Sequence, residues 1–210
     1  MSIFEEAAMG YNPFYNIENP QLMGYEYAWI QFMKNQEINS AIISDEIAAS
    51  WKRCQSGRLT FPKSFSDKTA KHTPPDPVTG FLIRDGGGII TDIFRNLDSD
   101  GFYGIITDRR GRKLFGLGDE SKGPAYRLRE RTQITSCAEK RVGTNFCSIV
   151  EEIKRPYSVV GAQHYFEFFH GYAGYAAPIF NGEGEMIGMV GFYTVSEQMD
   201  DYITSFVVAV

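Results

Sequence analysis

Two of the three histidines in this 210-residue chain, His164 and His170, stand in the stretch GAQHYFEFFHGYAGYAAPIF, Gly161–Phe180, among Phe and Tyr side chains. Three kinds of chemistry compete for them. A metal centre needs at least a third N, O or S ligand with its own geometry; Glu167 lies between the histidines, but no regular ligand spacing accompanies it. A small-molecule pocket would use a neutral imidazole as one donor and one acceptor. A structural role would satisfy each ring with backbone or a Tyr hydroxyl. We expect no metal, and take His164 and His170 as candidate pocket residues against that structural alternative.

Asn145 follows Thr144 at the start of an apolar-periodic run and either caps a helix or presents its amide to a ligand. Tyr157, Phe166, Tyr172, Tyr175 and Phe192 are the aromatic candidates. Most aromatics in this region belong to a core, because strand alternation turns only about half of them to one side of a sheet. A cluster of their faces would suit a quaternary ammonium, where a desolvated cation–π contact is worth about 2 kcal/mol. Cys54, Cys137 and Cys147 are odd in number and form no CxxC pair, which reads as reduced, buried, inert thiols in a cytoplasmic protein. No nucleophile with a matching base is apparent, and no enzymatic activity is expected.

The elements that must position these residues follow from periodicity. Gln21 to about Gln36 suits a helix that Gly24 weakens. In SDEIAASWKRC, Ser44 can cap, Asp45 and Glu46 occupy the first turn, and Ile43, Ile47, Trp51 and Cys54 share one face. Trp51 is expected to anchor this helix on the domain or on a second copy, with Arg53 left to solvent or an interface. Residues 55–77 read as a linker. VTGFLIRDGGGIITDIFRNL has helical spacing, but Gly86, Gly87 and Gly88 oppose a helix at about 1 kcal/mol each, so a hairpin turn competes. FYGIITD and RKLFGLGD read as strands joined by a tight turn at RRG. KGPAYRLRERTQI reads as a short helix, and VGTNFCSIVEEIKRP as a helix capped by Thr144 and ended by Pro156. YSVVGA, GYAAPIF and EMIGMVGFYTV read as strands, with NGEG as a hairpin turn. SEQMDDYITSFVVAV begins a helix that stops in mid-pattern. The order is that of an α+β fold around an antiparallel sheet.

Several segments, in order, resemble one family. EKRVGTNFCSI resembles the VGTNAIG signature of the GAF sensory domains that precede the ATPase module in sigma-54-dependent transcriptional activators, the acetoin and dihydroxyacetone regulators among them. GAQHYFEFFHGYAGYAAPI resembles that family's G-x-EHF and W-x-C-S-A-A-P-I segment, and NGEGEMIGMVGFYT the hairpin after it. ISDEIAASWKRCQSGRL resembles the helix that opens these sensors. The matches span about residues 42–194. The chain departs at Gln163-His164-Tyr165 for the family's EHF, at Tyr172 for its Trp, and at Gly174-Tyr175 for its Cys-Ser.

The resemblance implies a GAF-like, PAS-related sheet flanked by helices. It divides the chain into a helical lead-in and linker (1–75), a sensory domain (76–196) and the start of a signalling helix (197–210) cut before an ATPase domain. It further implies a sensor of a small metabolite, whose identity the departures keep from being carried over; the residues themselves suggest a quaternary ammonium or another small polar compound, held by Asn145, Tyr157, His164, Phe166, His170, Tyr172, Tyr175 and Phe192. A homodimer through the last helix is the expected assembly. A domain that binds a partner protein, its pocket filled by its own aromatics, is the alternative; a GAF-type methionine sulfoxide reductase is a minor one. With a net charge of −5, no basic stripe and no GxxxxGK[ST], direct nucleic-acid contact and ATP hydrolysis are not expected, and no cofactor is implied. No apolar run is long enough for a membrane span, and the acidic N-terminus lacks a secretory pattern.

Overall fold

The computed structural model describes residues 19–62, 76–96, 102–118 and 134–195. Its centre is an antiparallel sheet of five strands, β1 (Tyr103–Asp108), β2 (Lys113–Gly118), β3 (Tyr157–Val160), β4 (Tyr172–Phe180) and β5 (Met186–Val195), in the order β2-β1-β5-β4-β3. Two tight turns set its register. Asp108 Oδ1 accepts from the Arg110 and Arg112 amides at 2.9 Å each, and Gly111 supplies φ +73°. Asn181 Oδ1 accepts from Glu183 and Glu185, with Gly184 at φ +79°. Both glycines take a backbone conformation that side chains disfavour.

Helices cover both faces. On one lie α1 (Pro20–Asn35), α2 (Asp45–Ser56), the short α5 (Glu139–Val142) and α6 (Phe146–Ile153). Asn19 caps α1 through Oδ1, and Ser44 caps α2 through a 3.3 Å bond from the Ile47 amide. The face predicted for α2 is the buried one: Ile43, Ile47, Trp51 and Cys54 are all at most 3% exposed. These residues, with Ala28 and Phe32 of α1, share one apolar cluster with Phe146, Ile149, Val159, Ala176 and Met189. α1 and α2, from the lead-in, supply part of the core on this face of the sheet. The Trp51 anchor is on the domain itself.

The other face carries α3 (Pro77–Phe81), a π-helical stretch Leu82–Gly86, and α4 (Gly87–Asn96). The three glycines thus lie in a helical run, not a hairpin. Close approach explains two of them. A Cβ on Gly86 would lie 3.1 Å from Ile106 Cδ1, and one on Gly87 3.3 Å from the Phe115 ring. Packing of Leu82, Ile90 and Ile93 on Ile106, Tyr175 and Phe192 outweighs the weak intrinsic propensity. The arrangement is the expected α+β one, an antiparallel sheet flanked by helices. The expected helix in KGPAYRLRERTQI falls, except for Ile134, outside the described residues, as does the terminal segment 197–210. No helix among the described residues is long and apolar enough to cross a membrane.

Candidate functional site

The site is built on a gap in the sheet's side chains. Gly174 of β4 and Gly191 of β5 are bare on the face that α6 covers, and the Phe146 ring fills the space: a Cβ on Gly174 would fall 2.0 Å from Phe146 Cδ1. That contact sets the start of α6. The helix is capped by Asn145, not by Thr144. Asn145 Oδ1 accepts from the Cys147 and Ser148 amides, and Ser148 Oγ takes the Asn145 amide in return, a reciprocal capping box. Thr144 is instead turned inward, its Oγ1 2.7 Å from Ser50 Oγ.

Ser50 links two distant motifs. Its hydroxyl donates to Glu139 Oε2 at 2.6 Å, and Arg53 closes on the same carboxylate with two 2.8 Å bonds. Arg53 is exposed, as expected, but it is also paired: the SWKRC helix and the EKRVGTN turn are tied by a bidentate bond. The hydrogen bond to Glu139 raises the Arg53 pKa further.

Residues Gly161–Gly171 run as a strap from β3 to β4, held by its backbone carbonyls. Trp51 Nε1 donates to Gln163 O and Trp29 Nε1 to Tyr165 O, both at 2.9 Å. His170 spans the strap's base, Nδ1 2.9 Å from Glu26 Oε2 and Nε2 3.3 Å from His164 O. His164 Nδ1 lies 2.9 Å from Gly161 O, which can only accept, so the proton sits on Nδ1. Burial pushes the His164 pKa down to about 4, leaving the ring neutral at pH 7 with its lone pair on Nε2.

Between strap and sheet lies a cavity of about 300 Å³. Its floor is Ile105 of β1, Lys113 of β2, Tyr172 and Ala173 of β4 and Tyr193 of β5. Its walls are Ile134, Thr135 and Cys137, then Val142, Asn145 and Phe146, then His164 and Phe169 of the strap. The wall segment hangs on β2, where the Lys113 amide donates to Thr135 O and the Cys137 amide to Gly111 O. The surface is mostly apolar with a few polar groups, the composition of small-molecule sites. Lys113 Nζ donates to the Tyr103 hydroxyl at 3.2 Å and stands 5.0 Å above that ring. A hydrogen bond from the Cys147 thiol, helped by Lys113, lowers the Cys137 pKa, while burial pushes Cys147 up. Among the described residues no group of three His, Cys, Asp or Glu could hold a metal.

No protein-family model matches this chain, and no curated protein matches it. Among solved structures it is similar to one chain of the E. coli DhaR(N)–DhaL complex, at 20% identity and a TM-score of 0.62. The likeness covers 79% of this chain but only 58% of that one. At this identity the comparison shows a shared fold. It is the α+β arrangement that the motif order implies.

Of the eight residues singled out from sequence, three meet at the cavity: Asn145, His164 and Tyr172. Asn145 has no hydrogen-bonding capacity left for a ligand. Its Oδ1 accepts two amides, and its Nδ2 donates to Cys137 O and Gly143 O at 2.8 Å each. Tyr175 and Phe192 project to the opposite face, into the cluster under α4, because they alternate with Gly174 and Gly191. Phe166 packs edge-on against Phe61 in the main core, and Tyr157 bonds Ser44 Oγ at 2.6 Å. His170 belongs to the strap's anchorage. An aromatic cage from these side chains is therefore not assembled, and the charge at the cavity is a cation. Cys137 departs from an inert buried thiol, since it is only part-buried and forms wall. Sequence reasoning missed Lys113: on an edge strand after a turn, nothing in its neighbourhood separates it from an ordinary solvated lysine. Tyr193, Phe146 and Phe169 have the sequence pattern of core aromatics, and for Phe146 only the diagonal Gly174/Gly191 gap reveals its place.

Proposed function

We propose that this chain is the small-molecule-binding sensory domain of a bacterial transcriptional regulator, controlling a sigma-54-interacting ATPase module outside this sequence. The observation that carries the reading is the cavity: about 300 Å³, at the lower end of ligand pockets, between a rigid sheet and a strap pinned at both ends. The order of the motifs resembling the GAF sensors supports the regulatory part. The ligand acts by differential affinity: a 100-fold preference for one state supplies about 2.7 kcal/mol. No nucleophile or general base is called on. A homodimer paired through residues 197–210 belongs to the same reading, and sedimentation at micromolar concentration tests it.

The test is a metabolite panel read by calorimetry and melting temperature on the wild type and on Thr135→Trp, whose indole would occupy the cavity. At least one compound is expected to bind the wild type and not the variant. Silence across a broad panel sinks the reading. A second reading, a module that docks a partner protein, is favoured by two observations. DhaR(N) is found in complex with DhaL. Met23, Tyr27 and Met33 of α1 are exposed, at 53%, 62% and 42%. Under that reading Tyr27→Glu abolishes partner binding, whereas Thr135→Trp leaves it intact.

A further inference from the structure

The cavity carries two polar groups of opposite demand. Lys113 offers charge and donors: one N–H goes to the Tyr103 hydroxyl, and no carboxylate among the described residues pairs with its ammonium. It is drawn toward an anion, and one lysine on an apolar floor suits a monoanion rather than a phosphate dianion. His164 offers the reverse. It is 3% exposed, its Nδ1–H is spent on Gly161 O, and no described residue donates to Nε2. An imidazole so placed accepts one hydrogen bond from whatever enters. Asn145, another polar side chain of the wall, is saturated and adds nothing. Of the other lining residues, Ile105, Val142, Phe146 and Phe169 are apolar, while Thr135, Cys137, Tyr172 and Tyr193 bring further polar atoms without a charge like that of Lys113.

Resting on the reading of the cavity as a small-molecule site, we propose that its ligand is a small hydroxy-monocarboxylate. The carboxylate pairs with Lys113, a hydroxyl donates to His164 Nε2, and a short hydrocarbon body packs between Ile105 and Phe146. Each polar group rejects the wrong analogue. A ligand without the hydroxyl leaves a buried acceptor unpaired, and one without the carboxylate leaves the ammonium with no counter-charge among the described residues. A quaternary ammonium meets like charge and finds no cage.

The experiment is calorimetry on the full chain with three hydroxy acids of increasing span: lactate, gamma-hydroxybutyrate and para-hydroxyphenylacetate. Each is run beside its deoxy acid (propionate, butyrate, phenylacetate) and its uncharged diol (propylene glycol, butanediol, tyrosol), with choline as the cationic arm. At least one hydroxy acid is expected to bind about tenfold or more tightly than both of its analogues, the scale of one charge-assisted hydrogen bond. Lys113→Met should erase the preference of acid over diol, and His164→Phe that of hydroxy over deoxy acid. If either variant misfolds, the comparison among ligands on the wild type decides by itself. A diol or choline that binds as well as the acids, and is lost in Thr135→Trp, overturns the ligand class and leaves the cavity reading standing. Silence from every arm overturns both.

Discussion

The two faces of the sheet are closed by different physics. Under α4 the contact is apolar: Leu82, Ile90 and Ile93 meet Ile106, Tyr175 and Phe192. The Tyr175 hydroxyl is buried there without a partner. Under the strap the closure is directional. Two indole N–H groups hold carbonyls, His170 spans Glu26 and His164 O, and Asn145 makes four bonds. Apolar packing fills space by collapsing into it. A frame of hydrogen bonds can hold a strap off a sheet, and the cavity lies on that face. Under the proposed reading the strap face is also the binding side, and substitutions on the two faces should behave differently.

The largest expected effect is at the glycine gap. Gly174→Ala places a methyl 2.0 Å from Phe146 Cδ1, a distance that no rotamer of the alanine relieves. The ring and the start of α6 must move, and overpacking of this kind costs about 3 kcal/mol. Denaturant unfolding should show that loss, together with closure or distortion of the cavity. An alanine variant as stable as the wild type would mean that Phe146 does not rest on the gap.

Next is the response to acid, carried by His164. Its folded pKa, about 4, lies below the ordinary 6.5, so the unfolded chain binds the proton first. Stability is unaffected above that ordinary value and falls as pH drops from it toward 4, by up to about 1.4 kcal/mol per pH unit. His164→Gln lacks the titration. The urea midpoints of wild type and variant should therefore approach one another as pH is lowered from 7.5 to 4.5 (about the window that this shift defines). A constant difference across the range would place the His164 ring in water.

A paired substitution tests directional against apolar closure. Trp51→Phe removes the N–H that holds Gln163 O and leaves a buried carbonyl short of its partner, at about 1–3 kcal/mol. Tyr175→Phe removes a buried hydroxyl that bonds nothing, and should be neutral or slightly stabilising. Equal losses at the two positions would erase the distinction between the faces.

How much of this was legible beforehand divides along the same line. Helical faces were readable from spacing: Ile43, Ile47, Trp51 and Cys54 are all inside. Strands and both hairpin turns followed from alternation and from the Gly and Asn of the turns. The cavity was only partly legible, because its walls come from long-range contacts. Arg53 finds Glu139 86 residues away in sequence, and Lys113 becomes a cavity residue only when Thr135 and Cys137 hang on its strand. Tyr175 and Phe192 carry the right chemistry for a cage but the wrong parity, since one residue along a strand reverses the face. Parity relative to a cavity cannot be assigned until one inward residue is known, and that residue was a glycine.

Glycine also supplies the smallest test, on the opposite face. Gly86 and Gly87 are needed for close approach, to Ile106 and Phe115 respectively, whereas a Cβ on Gly88 meets nothing within 4 Å. Gly88 does not have positive φ and lies within α4. Its replacement by alanine should act almost wholly through propensity, stabilising by about 0.5–1 kcal/mol. The same change at Gly86 forces a methyl against Ile106 and should lose that gain or reverse it. Melting curves of the two single variants thus separate a glycine kept for packing from one that packing does not need. If Gly88→Ala also destabilises, the segment is not held as a continuous helix on this face, and the apolar half of the comparison falls.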